Sequence, residues 1–210
     1  MNSSVFTVHG PAGDLQAVLE LPASAAQPLG TVVIAHPHPL FGGTMDNKVV
    51  RTLARAWLQC GWRAVRFNFR GVGASAGAHD EGRGEADDLL AVAGQAVAPG
   101  QALALAGFSF GACMAAQAIA RLHPQRPIAA AVLVGLAAAR FAAPPIPQDL
   151  QARTLIVHGE RDDTAPLAAV MDWARPQLLP VTVVPGGGHF FHGQLPLLKA
   201  LAERHVRGCA

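Results

Sequence analysis

The sequence predicts an α/β fold, a mostly parallel central sheet with helices on both faces. Three observations point there. Short, continuous apolar runs such as Thr31–Ala35 (TVVIA) alternate with longer segments of helical periodicity. The connections are short, and strand–helix–strand successions of this kind make parallel crossovers with helices on both sides. Hydrophobic residues form 51% of the chain, which suits a sheet buried on both faces.

The elements follow in order. Ser4–Val8 and Leu15–Leu21 flank the turn residues Gly10–Gly13 and read as an opening hairpin. Thr31–Ala35 is a buried strand. Lys48–Cys60 carries apolar residues at helical spacing and stops at Gly61. Arg63–Phe69 alternates as a strand and ends at Arg70-Gly71. Glu85–Val97 is helical up to Pro99-Gly100. Ala102–Ala106 is a strand, and Gly111–Leu122 a helix that stops near Pro124. Ala129–Val134 and Thr154–Val157 are further strands. Pro166–Arg175 is a short helix, Val181–Val184 the last strand and Gln194–Val206 the last helix. No linker, repeat or charge run divides the chain, so residues 1–210 are expected to form one domain. The Pro-rich stretch Ala142–Pro147 is a loop between two strands.

Composition narrows the function. The net charge is +2 with no block of Lys or Arg, so nucleic acid is not an expected partner. Cys60, Cys113 and Cys209 are odd in number and lack C-x-x-C spacing. They read as reduced thiols, which favours a cytoplasmic setting, and Cys113 is expected to face the core. The N-terminal segment lacks the charged-then-apolar pattern of a signal peptide. No apolar run approaches the ~18 residues needed to span a bilayer, so no membrane partner is expected. Neither composition nor motif specifies an oligomer.

The chemistry begins at a serine. Serine is a weak nucleophile at neutral pH and needs a base, a group to orient the base and donors for the oxyanion. Gly107-Phe108-Ser109-Phe110-Gly111 is a G-x-S-x-G motif between a strand (ALALA) and a helix (ACMAAQAIARL). That context makes a sharp turn that lifts the hydroxyl off the sheet. Gly73-Ala74-Ser75-Ala76-Gly77 matches the same pattern, but a turn precedes it and no helix follows at once. Context therefore selects Ser109, and Ser75 reads as part of a glycine-rich loop.

In such an arrangement the acid follows a later strand and the histidine comes last. After Thr154–Val157 stand Asp162 and Asp163, either of which satisfies the chemistry. After Val181–Val184 comes Pro185-Gly186-Gly187-Gly188-His189, where three glycines let the chain return an imidazole to the serine. His192 is the competitor, and His158 precedes the acid and breaks the order. One oxyanion donor is the N–H of Phe110, just after the nucleophile. The other lies beyond Thr31–Ala35, where Pro37 and Pro39 have no N–H and leave His36, His38 and Leu40. His36-x-His38 is not a full zinc set and has no acid or cysteine at ligand spacing, so neither metal nor cofactor is expected.

HPHPLFGGTMDNKVV, FNFRGVGASAG, GFSFG, HGERDDTAP and GGGHFFHG, in that order, resemble small bacterial α/β-hydrolases without a lid, a group related to esterases and dienelactone-hydrolase-like proteins. The resemblance spans roughly residues 1–205. It implies the α/β-hydrolase fold and the hydrolase class. Through H-G-x-x-D-x-x-x-P it selects Asp162 over Asp163, and it matches the family's histidine to His189. It favours His38 for the second oxyanion donor, with Leu40 next. FRGVGAS resembles the turn after the fourth strand, with Arg70 structural. Relatives with a lid carry a helical insertion after the sixth strand, whereas residues 135–153 are short here, so an open site is expected. Leu40, Phe41, Leu136, Phe190 and Phe191 are candidate walls.

The expected activity is cleavage of an ester or related acyl bond in a small molecule. Ser109 attacks, His189 serves as base and then acid, and Asp162 orients the imidazole. A peptide or amide hydrolase and an acyltransferase share that chemistry. A binding protein on an inactive hydrolase scaffold is the rival from another class, and the intact Ser, Asp and His argue against it.

Overall fold

The computed structural model describes residues 3–23 and 27–209. Its opening hairpin is β1 (Ser3–Gly10) and β2 (Gly13–Glu20), with Gly13 at φ 113°, where a side chain is disfavoured. Six strands follow: β3 (Thr31–Ala35), β4 (Arg63–Phe67), β5 (Leu103–Phe108), β6 (Ile128–Val134), β7 (Thr154–Gly159) and β8 (Val181–Val184). They form one eight-stranded sheet in the order β1-β2-β4-β3-β5-β6-β7-β8. Only the β1–β2 and β2–β4 pairings are antiparallel. This is the mostly parallel sheet with helices on both faces that the sequence predicts.

Helices cover both faces. Residues of α1 (Lys48–Gln59) and α6 (Leu195–Gly208) pack into one core. Residues of α2 (Arg83–Ala96), α3 (Phe110–Leu122), α4 (Gln148–Gln151) and α5 (Leu167–Ala174) pack into the other. The period of two along β3 feeds both: Val32 and Ile34 enter the first core, Val33 and Ala35 the second. This is why the central strands read as unbroken apolar runs rather than alternating ones. Trp57 and Trp62 meet edge to face, 4.9 Å between centroids. Burying a large apolar side chain of this kind contributes on the order of 1.5–3 kcal/mol.

Element boundaries depart from expectation where a side chain takes over a backbone group. The Arg63–Phe69 pattern predicts a strand two residues longer than β4. The Asn68 N–H still reaches Gln16 O of β2 (2.9 Å), but the Phe69 N–H is taken by His36 Nε2 (3.0 Å), so the chain leaves the ladder there. Helix α2 starts earlier than Glu85 because Glu85 folds back. Its carboxylate accepts the N–H groups of Asp80 and Gly82, both at 2.8 Å, and caps a turn that is already helical. The four-residue α4 was not expected.

The turn after β4 is held by Arg70, whose guanidinium grips both Asp88 oxygens (2.9 and 2.7 Å) and Gly84 O (2.7 Å). A β-carbon at Gly84 would lie 1.8 Å from Arg70 Nη1. Arg70 is thus structural, as the resemblance implies. Between β6 and β7, residues 135–153 hold only the short α4, and no lid is built there. Among the described residues no helix is long and apolar enough to cross a membrane. Cys113 is fully buried, as expected, and burial pushes its thiol up to about 12.

Candidate active site

The loops that follow β3, β5, β6, β7 and β8 meet at one cleft beyond the C-terminal ends of the parallel strands; His38, Ser109, Asp162 and His189 stand on them, and Phe110 opens α3. Ser109 occupies the turn between β5 and α3 at φ 59°, ψ −118°. A non-glycine residue held there carries roughly 1–3 kcal/mol of strain, which the surrounding packing must enforce. The flanking glycines are needed for space. A β-carbon at Gly107 would lie 2.2 Å from Gly111 O, and one at Gly111 would lie 2.4 Å from Ala35 O.

His189 follows β8 through the glycine turn. Gly187 O accepts the Arg161 N–H at 2.8 Å and Glu160 Oε2 accepts the Gly186 N–H at 2.7 Å, so the loops after β7 and β8 are tied together. The imidazole lies against Phe108, 4.9 Å between centroids. Its Nε2 is 2.9 Å from Ser109 Oγ and its Nδ1 is 2.7 Å from Asp162 Oδ2. The other oxygen of Asp162 accepts the N–H groups of Thr164 (3.0 Å) and Ala165 (2.7 Å). Burial pushes the Asp162 carboxyl up, but the hydrogen bonds from His189 and Ala165 and the neighbouring imidazoles outweigh it, leaving the acid below its ordinary range. Ser109, Asp162 and His189 are all nearly buried.

The competitors are placed elsewhere. Ser75 Oγ donates to Asn68 O (2.7 Å) and accepts the Gln16 N–H (3.0 Å), which ties its loop to β2. Asp163 is exposed and meets only Thr164 Oγ1, at 3.3 Å. His192 is exposed and packs beside Phe190. His158 Nε2 donates to Ala165 O (2.7 Å) and lies 3.4 Å from Asp162 Oδ2, behind the acid. Burial holds it below the usual imidazole range. His36 is fully engaged: Nδ1 donates to Pro37 O (2.6 Å) and Nε2 accepts from Phe69, while burial lowers it to about 4.

In the loop after β3 the candidate donors differ in what their N–H groups meet. Leu40 spends its N–H on His38 Nδ1 at 3.2 Å. The N–H groups of His38 and Phe110 have no partner among the described residues. Burial, and then the neighbouring His79 and Arg140, push the His38 ring below the usual imidazole range against the pull of Glu85. His79 lies 2.6 Å from Glu85, poorly aligned for a hydrogen bond.

Above Ser109 opens a cleft of about 510 Å³. Of the expected walls, Phe41 and Phe190 line it, whereas Leu136 and Phe191 are fully buried core residues and Leu40 points away into solvent at 70% exposure. Phe141 and Arg140 also line the cleft and were not anticipated. They belong to the aperiodic loop after β6, where no spacing marks which side chains turn toward the nucleophile.

A family model for the alpha/beta hydrolase fold matches residues 33–153. A crystal structure from Xanthomonas campestris, described as an a/b serine hydrolase without lid, is 38% identical over 99% of this chain and 95% of that one, with a TM-score of 0.88. An alpha-beta serine hydrolase homologue from Coxiella burnetii is 37% identical, covers 97% of each chain and has a TM-score of 0.82. An uncharacterized protein of Rickettsia prowazekii is 38% identical over 116 residues, 54% of this chain. That match covers 48% of the Rickettsia protein, so it spans about half the length of this curated relative.

Proposed function

The chain belongs to the alpha/beta hydrolase fold family, and from that premise we propose that it is a serine hydrolase cleaving a carboxylic ester through an acyl-enzyme. One observation carries the reading: the continuous relay from Ser109 Oγ to His189 Nε2 (2.9 Å) and from His189 Nδ1 to Asp162 Oδ2 (2.7 Å), at the floor of an open cleft.

The chemistry follows from the relay. Asp162 accepts a hydrogen bond from Nδ1–H and so holds the proton on Nδ1, which leaves the Nε2 lone pair toward Ser109. His189 Nε2 takes the hydroxyl proton as Oγ attacks the acyl carbon. The same nitrogen returns that proton to the departing alcohol, and a water then repeats the sequence on the acyl-enzyme. The negative charge that develops on the acyl oxygen meets the N–H groups of Phe110 and His38, at the positive end of α3. Each such donor contributes roughly 3–4 kcal/mol to the transition state.

A fluorophosphonate probe is the direct test. It should label the protein at Ser109, and in the crystal structure of the adduct the phosphoryl oxygen should lie about 2.7–3.1 Å from the amide nitrogens of Phe110 and His38. Absence of labelling would remove the nucleophile assignment. An oxygen held by Leu40 or by a side chain would reassign the second donor.

The open cleft bears on the acyl group. Phe41 and Phe190 at its mouth are 79% and 46% exposed, with no helix above them to cover a long chain. Methylenes that stay in water gain no burial energy. Rates on p-nitrophenyl esters should therefore fall from acetate or butyrate toward palmitate, without activation at a lipid interface. A maximum at long chains would contradict an uncovered site.

A further inference from the structure

The loop after β6 brings a cation to the cleft. Arg66, Arg70, Arg83, Arg121 and Arg175 each face a carboxylate. Arg140 lines the cleft with no hydrogen-bond or carboxylate partner for its side chain among the described residues. Among the described residues no other Lys or Arg lines that cleft, so Arg140 supplies its permanent positive charge.

The backbone that carries Arg140 is anchored. Its N–H and that of Phe141 both reach Ala137 O, at 3.0 and 3.2 Å. Just beyond, Gln117 Nε2 donates to Ala142 O (2.9 Å) and Trp173 Nε1 to Ala143 O (2.7 Å). The guanidinium is therefore presented from a fixed turn, and holding a recognition group ready reduces the ordering cost of binding. Phe141, next to Arg140, packs against Phe110 (4.8 Å), the residue that follows Ser109, and against His38 (5.3 Å), and all of them line the cleft.

Polarity across the cleft gives the direction. His189 must protonate the leaving group, so the alcohol part departs on its side; Phe190 packs on the His189 ring (5.1 Å), and Asp163 and Thr164, which also line the cleft, follow Asp162 in the chain. Asp163 places a carboxylate there, unfavourable for a second anion. The acyl part is left the side of Phe110, Phe141 and Arg140.

Building on the acyl-enzyme reading above, we propose that Arg140 is a specificity-determining residue and that the preferred substrates are esters whose acyl part is a short apolar body ending in a carboxylate or similar anion. Guanidinium suits this task because its fork pairs with a carboxylate through two parallel hydrogen bonds.

The test compares mono-p-nitrophenyl adipate with p-nitrophenyl hexanoate, which have the same acyl length and differ in the terminal charge. The full-length protein should favour the acidic ester in kcat/KM by about fivefold to tenfold, the size of a charge-assisted contact discounted for solvent exposure. High salt should shrink the preference. Arg140→Gln should remove it, mainly through KM on the acidic ester, and Arg140→Lys should retain part of it. No preference in the unaltered protein, or an equal loss on both esters in Arg140→Gln, would overturn the proposal. If neither ester is hydrolysed, the esterase reading fails by itself. Calorimetric titration with monomethyl adipate and methyl hexanoate then decides the Arg140 site: charge-dependent binding lost in Arg140→Gln sustains it, and equal binding of the two overturns it.

Discussion

Replacing Ser109 by alanine is expected to lower turnover of p-nitrophenyl acetate by a factor on the order of 10⁶, equivalent to about 8 kcal/mol of transition-state stabilisation. The size follows from what the hydroxyl does in the proposed reaction. It is the atom that bonds to the acyl carbon and the atom from which His189 withdraws the proton, so without it His189 and Asp162 have nothing to activate. A residual acceleration of roughly 10³–10⁴ over water should persist, because the N–H groups of Phe110 and His38 still polarise a bound ester. The fold should survive, since alanine retains the β-carbon of the strained elbow and Ser109 Oγ bonds only to His189.

Ser75→Ala is the matched control. Its hydroxyl joins two backbone groups, Asn68 O and the Gln16 N–H, and each loses a partner at a cost of about 1–3 kcal/mol. The variant should therefore melt at a lower temperature while keeping most of its turnover. The opposite pattern, with Ser75→Ala inactive and Ser109→Ala active, would exchange the roles of the two G-x-S-x-G motifs.

How far the sequence carries the fold can be judged from particular residues. Thr31–Ala35 and Val181–Val184 are strands with the expected ends, because Gly and Pro beside them punctuate the apolar run. Arg63–Phe69 overshoots because alternation of side chains continues after the backbone has left the ladder, where the Phe69 N–H turns to the ring of His36. Long-range bonds of that kind leave no local pattern. The same limit applies to the site. Ser109, Asp162 and His189 can be ordered along the chain because each follows a strand of a parallel sheet, and the sheet brings its C-terminal ends together. Leu136 and Phe191 were expected at the cleft and are core residues instead, because a hydrophobic side chain in a loop does not reveal which way it faces. Arg140 and Phe141 reach the cleft through the path of an aperiodic loop. The resemblance alone favours His38 over Leu40, and the hydrogen bond from the Leu40 N–H to the His38 ring, a contact with no signature in the sequence, agrees with that choice.

Asp162→Asn should lower turnover by about 10⁴, and Asp163→Asn by far less. The first effect depends on the direction in which the new amide must sit. Asp162 Oδ1 is held by two backbone donors, the N–H groups of Thr164 and Ala165. In the asparagine variant the amide oxygen must take that position, because the NH₂ group cannot accept from them. The NH₂ group then faces His189 Nδ1 and lies beside His158 Nε2, which is 3.4 Å from the original oxygen. Facing a donor, His189 Nδ1 can only accept, so the proton moves to Nε2 and the lone pair that should deprotonate Ser109 is lost. Side-chain volume and loop geometry stay nearly unchanged, so circular dichroism and melting should show a folded protein with a disabled base. Asp163 is exposed and accepts only from its neighbour Thr164, and its amide variant leaves the His189 tautomer untouched. Because the Asp162 carboxyl lies below its ordinary range, it stays ionised through neutral pH, and the difference between the two variants should hold across that interval. Losses of similar size in both folded variants would show that the orienting carboxylate is not Asp162 alone.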